Sequence, residues 1–283
     1  MIVRILMFLL AFIPFTMPVQ AIDIWSPIKA LFGRQSQPMQ PAIKVLVLHD
    51  QDGAILEVEG KYKIYDPHTG SLLSTRFLGK SKFIQPIGDG LKWGEEFPGH
   101  HQLELVPTAS DTRFLVNGVE YKGILTIYDI GGTLSIVNEV PIEEYLSLTL
   151  DSKLQKDLSQ EALAALTIAE RTNAYYLSQH PKRKFWAVDG TQTGYQGYYA
   201  VDANNPVQKA IKNTRHMVMS RTGTYEGVVT PFPAQWNTTT KVSPKLDISK
   251  ITMDEVNQMA DKGSHAANIL EKAFPKTTIQ LIY

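Results

Sequence analysis

Three glutamates crowd the stretch Asn138–Leu146 (NEVPIEEYL): Glu139, Glu143 and Glu144. Paired carboxyls can divide acid and base work in cleaving a glycosidic bond. Carboxylates that open a helix more often serve its dipole and its solvation, and that is the reading preferred for these three. A second candidate is Tyr195, Tyr198 and Tyr199 spaced by Gly194 and Gly197. Such a run suits a sugar-lined groove, although aromatics at this spacing are more commonly core or hairpin pairs. The seven histidines show no HxxxH or HExxH spacing, and the chain has no cysteine. No metal site and no cofactor are therefore expected, and a thiolate nucleophile or disulfide scaffold is excluded. GxGxxG, GxxxxGK[ST] and GxSxG are all absent, which leaves nucleotide binding and a nucleophilic serine without support.

The elements that must position these residues fall into an address, an arm and one long domain. Met1–Ala21 carries a single charge, Arg4, then an apolar run from Ile5 to Phe15, and ends Val-Gln-Ala. That is the layout of a secretory signal, and Pro14 and Pro18 interrupt it well short of the about 20 apolar residues a span needs. An exported protein of the periplasm or cell envelope is expected, with no stable membrane span after cleavage; the rival reading is a segment kept as an uncleaved anchor. Residues 22–42, with Pro27, Pro38 and Pro41, sustain no period and read as a linker or arm. Residues 43–283 read as the domain. With 28 basic and 28 acidic side chains in 283 residues, the net charge is zero, so nothing global attracts a nucleic acid.

Within the domain the pattern is β first. Lys44–Leu48 and the alternating runs of Ala54–Tyr65 predict strands. Arg113–Tyr128 predicts a hairpin, RFLV then VEYKGILTIY, turned at Asn117-Gly118, whose residues tolerate the positive φ of a type I′ turn. Thr133–Val137 adds a strand after Gly131-Gly132. Ile142–Leu150 is spaced for a short helix. Ser159 caps a long one over Gln160 to about Gln179, stopped by His180-Pro181. Val207–Asn213 and Asp254–Ala273 predict two further helices, Met217–Tyr225 a hairpin around Thr222-Gly223, and Thr278–Tyr283 a closing strand. The fold class is α+β: strands and hairpins with an inserted long helix and a C-terminal helix.

Four segments together resemble the SpoIID/LytB family (stage II sporulation protein D and the amidase enhancer LytB). They are the strand pair through Phe114–Leu125 with Ile136–Asn138, then Val140–Leu146, then Glu161–Leu163 with Ala169–Thr172, and finally Met259–Gly263 with Ile269–Leu270 and Phe274-Pro275. Shorter echoes are Gln192–Gly197 and Ala200–Ala203. The resemblance implies action on peptidoglycan. Sporulation-type members are lytic transglycosylases on glycan strands stripped of stem peptides, and LytB types enhance a cell-wall amidase. Glycan strands and an amidase are accordingly the implied partners, and Arg171, Thr172, Gln192 and Tyr195 the implied substrate-binding residues.

The chain departs from its relatives at the chemistry. The family's catalytic glutamate aligns with Lys153 in Thr149–Gln155, and an ammonium cannot supply the same proton at its ordinary pKa. The family's helix lysine becomes Ala164 or Ala165, its cysteine Thr193, its His-bearing loop Ala234–Thr240, and its Gly-rich segment roughly Leu246–Met253. If activity is kept, Glu170 and Asp151 are the candidate acids. Otherwise the domain is a non-catalytic relative that binds glycan or helps an amidase, or a structural envelope protein.

Overall fold

Buried and exposed side chains alternate along strand after strand of the computed structural model, which describes residues 40–75, 81–150, 158–231 and 251–282. The signal segment 1–21, all but the last three residues of the arm 22–42, and Asp151, Lys153 and residues 234–240 lie outside the described residues. Strand β1 (Ala42–Gln51) is followed by β2 (Ala54–Glu59) and β3 (Tyr62–Tyr65). In β2, Leu56 and Val58 are buried while Ile55, Glu57 and Glu59 are not, the period of two that a half-buried strand requires. The short strands β4 (Leu72–Ser74), β5 (Lys82–Pro86), β6 (Gly90–Trp93), β7 (Glu95–Pro98) and β8 (Gln102–Pro107) follow. Then come β9 (Arg113–Val116), β10 (Val119–Tyr121), β11 (Ile124–Ile130), β12 (Thr133–Pro141) and β13 (Val188–Asp189).

They build a seven-stranded sheet in the order β13-β1-β12-β11-β8-β3-β4 and a six-stranded sheet in the order β10-β9-β2-β5-β6-β7. Among the described residues only the β1–β13 pairing is parallel. The rings of Tyr62, Trp93 and Phe114, from strands of both sheets, meet at centroid distances of 6.0 and 6.4 Å. The Trp93 indole N–H donates to the Leu56 carbonyl (3.2 Å), so this large buried ring leaves no polar group unmet.

The Asn117-Gly118 turn forms as its residues predict, with φ of 49° and 82°, and pairs β9 with β10. The strand expected to run on from it does not. It breaks at Lys122-Gly123, and β11 continues in the other sheet. Gly123 has φ +87°, and a Cβ there would sit 2.3 Å from the Glu139 carbonyl oxygen. Glycine is the residue that lets the chain change sheets this close to a neighbouring backbone. Replacing Gly123 by alanine should therefore lower the unfolding free energy by about 2–3 kcal/mol, read as a lower urea midpoint at unchanged slope.

Helix α1 (Ile142–Leu150) follows β12 without a loop, and α2 (Gln160–Gln179) is the long inserted helix. Both match the ranges their sequence predicts, and the Ser159 hydroxyl accepts from the Ala162 N–H as an N-cap. Buried Leu163, Leu166, Ile168 and Ala169 place α2 inside the core. A single turn, α3 (Gly190–Thr193), and helix α4 (Pro206–Asn213) come next.

Two expectations fail beyond this point. Strand β14 (Met217–Arg221) makes no hairpin at Thr222-Gly223; residues 223–225 form one 3₁₀ turn. Its partner is the closing strand β15 (Thr277–Leu281), from Met217↔Leu281 to Arg221↔Thr277. The single helix expected over Asp254–Ala273 is two, α5 (Met253–Asp261) and α6 (Ala266–Ala273). Gly263 at φ +85° ends α5, with Gly263 N–H bonded to Ala260 O and Ser264 N–H to Met259 O. That is a Schellman stop, which takes glycine at its left-handed position. The N–H of Ala266 then donates to the Glu161 carboxylate of α2 (2.7 Å), so Glu161 serves another helix's positive end besides its own. No helix among the described residues is long and apolar enough to cross a membrane.

Candidate functional site

Because β12 runs straight into α1, Glu143 and Glu144 occupy that helix's first turn. Successive side chains on a helix diverge by about 100°, so the two carboxyls enter different surroundings.

Glu143 turns to α2. Its two oxygens accept a bidentate pair from Arg171, Nε to Oε1 at 2.8 Å and Nη2 to Oε2 at 2.9 Å. Arg171 is fully buried, and its remaining donors reach Thr214 Oγ1, Met217 O and Ile211 O. All five guanidinium N–H groups are thereby used, the condition for burying such a charge without a large penalty. Thr172 is buried too: its hydroxyl donates to Ile168 O (2.6 Å) and accepts from Met219 N–H (2.8 Å). Arg171 and Thr172, expected to bind substrate, are placed in the interior instead of on an open surface. Their polar atoms are spent inside, tying α2 to α1, α4 and β14, and none faces solvent.

Glu144 turns the other way, toward tyrosines. Tyr195 lies between Tyr121 and Tyr145, at ring distances of 6.3 and 5.9 Å, and is stacked on the latter. Its hydroxyl donates to Asn138 Oδ1 at 2.6 Å. Asn138 is itself fully buried, and its amide donates to the Lys122 and Ile124 carbonyls at 2.7 and 3.1 Å. These are the carbonyls flanking the sheet change at Gly123, so one side chain satisfies the interrupted ladder and anchors Tyr195. Lys122 lies over the Tyr198 ring, 3.5 Å from its centroid, and the Tyr199 hydroxyl donates to Leu148 O.

Electrostatics single out Glu144. Partial burial holds its carboxyl above the usual range, an effect that the Lys122 cation offsets only in part. Burial likewise pushes the Tyr121 and Tyr145 phenols up to about 12. Tyr195 is raised further, by burial first and then by the nearby Glu144 charge. The Glu170 charge is felt at Tyr145. The charges of two carboxyls are therefore felt within one stacked tyrosine pair.

Of the expected site residues, the structure brings Glu170 and Tyr195 to this cluster. Gln192 is exposed at the end of α3, on a separate groove. Thr193, where the resemblance places a cysteine, hydrogen-bonds Tyr145. Asp151 and Lys153 lie outside the described residues. Among the described residues no group of His, Asp and Glu side chains could hold a metal ion. The sequence reading weighs Glu144 with Glu139 and Glu143 but prefers a helix-opening role for all three, and it singles out neither Lys122 nor Asn138 for the site. The doublet Glu143-Glu144 was the available signal, since two carboxyls side by side on a buried helix cannot both serve the same partner.

Comparison with known proteins adds a family match and three relatives. The SpoIID family model, described as stage II sporulation protein, matches residues 131–220, which include Glu143, Glu144, Arg171 and Tyr195. An uncharacterized protein of Chlamydia muridarum is 30% identical over 250 residues, covering 88% of this chain and 80% of that protein. One from Chlamydia pneumoniae is 29% identical over 246 residues, 86% of this chain and 82% of its own length. A third, from Brachyspira hyodysenteriae, is 30% identical over 165 residues, 58% of this chain and 44% of that protein.

Proposed function

Since the chain belongs to the SpoIID family, a family tied to the cell wall and cell envelope, we propose that it is an exported protein that binds and processes the glycan strands of peptidoglycan. The observation carrying this reading is the Glu144 carboxyl, half-buried beside Lys122 and the stacked Tyr145–Tyr195 pair. A lytic transglycosylase needs a carboxyl still protonated near neutrality. That group gives its proton to the glycosidic oxygen as the C1–O bond breaks. The 6-hydroxyl of the same sugar then attacks C1, closes a 1,6-anhydro ring and returns a proton to the carboxylate. No water is consumed. Burial that disfavours the charged form is the physical means of holding a glutamate ready for such a transfer.

Glu170, whose charge reaches Tyr145 of the same ring pair, is the second candidate carboxyl, and Asp151 remains a candidate from sequence. Lys153 at the family's acid position favours a second reading, in which the domain grips strands without cutting them and assists an amidase or supports the envelope.

Mass spectrometry of peptide-free glycan strands incubated with the purified chain decides between them. Anhydro-muramyl ends above a no-protein control are the expected result. Strands that are bound but stay uncut, with Lys153→Glu restoring nothing, would establish the second reading. Chain that neither cuts strands nor sediments with sacculi would remove both. Cutting should also fall as pH rises through the raised Glu144 pKa, because only the protonated carboxyl donates.

A further inference from the structure

Helix α2 ends into Pro181-Lys182-Arg183-Lys184-Phe185-Trp186, three consecutive cations followed by two aromatics. The aromatics fasten this segment to the outer face of the seven-stranded sheet. Phe185 and Trp186 pack over Leu46, Tyr128 and Val137, with the Phe185 and Tyr128 rings 4.7 Å apart. Trp186 also meets the His49 ring edge-on at 5.3 Å. Because the aromatics hold the backbone, Lys182, Arg183 and Lys184 stand exposed at the rim of a groove of about 830 Å³. Exposed Gln192 lines the same groove.

None of the three cations makes an ion pair among the described residues. Asp189, the carboxylate lining this groove, already accepts from the Thr191 N–H (2.9 Å) and hydroxyl (2.7 Å). A chain whose charges otherwise balance thus sets three cations against the one Asp189 carboxylate in this groove, a local positive excess beside aromatic rings. The volume falls in the about 300–1,000 Å³ span of ligand clefts.

We infer that this groove is a binding site for a carboxylate-bearing glycan, in which Lys182, Arg183 and Lys184 meet the acid groups and Trp186 and Gln192 meet the sugars. The inference rests on the glycan reading above and adds to it the charge of the ligand. Rings offer apolar sugar faces a stacking surface, and an amide matches hydroxyls. Exposed cations recognise carboxylates with a strength that salt screens. In peptidoglycan the lactyl group of each muramic acid supplies that carboxylate once stem peptides are gone. Phe185 and Trp186 are half-buried in the groove wall, so they offer little to insert into a lipid surface.

The test compares binding of the full chain to two uncharged-or-charged counterparts of equal length: peptide-free muramyl glycan strands and chitin oligosaccharides, which share the linkage and lack the lactyl acid. The muramyl strands should bind at least about tenfold tighter at low salt, with the gap closing as salt rises. The triple variant Lys182→Ala, Arg183→Ala, Lys184→Ala should abolish the gap at an unchanged melting midpoint, since all three side chains are exposed. Equal affinity for both oligosaccharides, or a triple variant that keeps the preference, overturns this inference while leaving glycan binding intact. Binding to neither oligosaccharide defeats the glycan reading itself. Cation-dependent binding to phosphatidylglycerol vesicles, with strand binding indifferent to the variant, assigns the patch to lipid and also overturns it.

Discussion

Replacing Arg171 by methionine should lower the unfolding free energy by about 3–5 kcal/mol, because it strands the Glu143 carboxylate beside three acceptors that lose their donors. Glu143 Oε1 would keep only a long contact from the His216 N–H at 3.2 Å. The Met217 and Ile211 carbonyls would lose the Arg171 donor in a closed interior, and the Thr214 hydroxyl would keep only its bond to Ala210 O. For a domain of this size the loss corresponds to a melting midpoint lower by about 10 °C. Lysine should not rescue it, since one ammonium cannot reproduce a bidentate fork with five donors. Removing both charges together, Arg171→Met with Glu143→Leu, should recover much of the loss, because no buried ion is then left alone. A variant that instead melts normally and loses strand binding would return Arg171 to the role its sequence neighbourhood suggests.

Glu144→Gln is expected to do the opposite. The side chain keeps its shape and loses its proton, so formation of anhydro-muramyl ends should fall by about 10²–10⁴-fold if this carboxyl is the acid. Stability at neutral pH should hold or rise. A carboxyl whose folded pKa is raised stabilises the fold while protonated, and that contribution is lost as pH climbs through the raised value. An amide never charges, so it escapes the loss. The neighbouring Glu143→Gln should by contrast weaken folding, since its charge neutralises buried Arg171. Two adjacent glutamates with opposite signatures, one in unfolding and one in product yield, would separate structural from chemical duty. Unchanged product yield in Glu144→Gln would shift the search to Glu170.

The local elements were legible in the residues themselves. Ser159 and His180-Pro181 bounded α2, Pro141 preceded α1, and Asn117-Gly118 set its own turn. Each depends on backbone preferences and capping groups only a few positions apart, so a linear reading suffices. Gly263 lies inside the single helix expected over Asp254–Ala273, and its role as a stop shows in its left-handed backbone. The α+β class followed from these elements, whereas the SpoIID family came from the resemblance of four motif segments in their order.

Partners far apart in the chain were a different matter. β14 takes its ladder from β15 some sixty residues on, while the chain just after it returns only to Arg221, through Gly227 and Val228. Gly123 reads as an ordinary strand glycine until Glu139 closes in on it from another strand. Arg171 beside Thr172 carries no mark of burial, and only the arrival of Glu143, 28 positions earlier, turns it from a solvent-facing cation into an enclosed one. The same packing gave Glu144 its tyrosines and gathered Lys182, Arg183 and Lys184 over a groove. Propensity acts through neighbours in sequence; burial and charge pairing act through neighbours in space, and those exist only once the chain has folded.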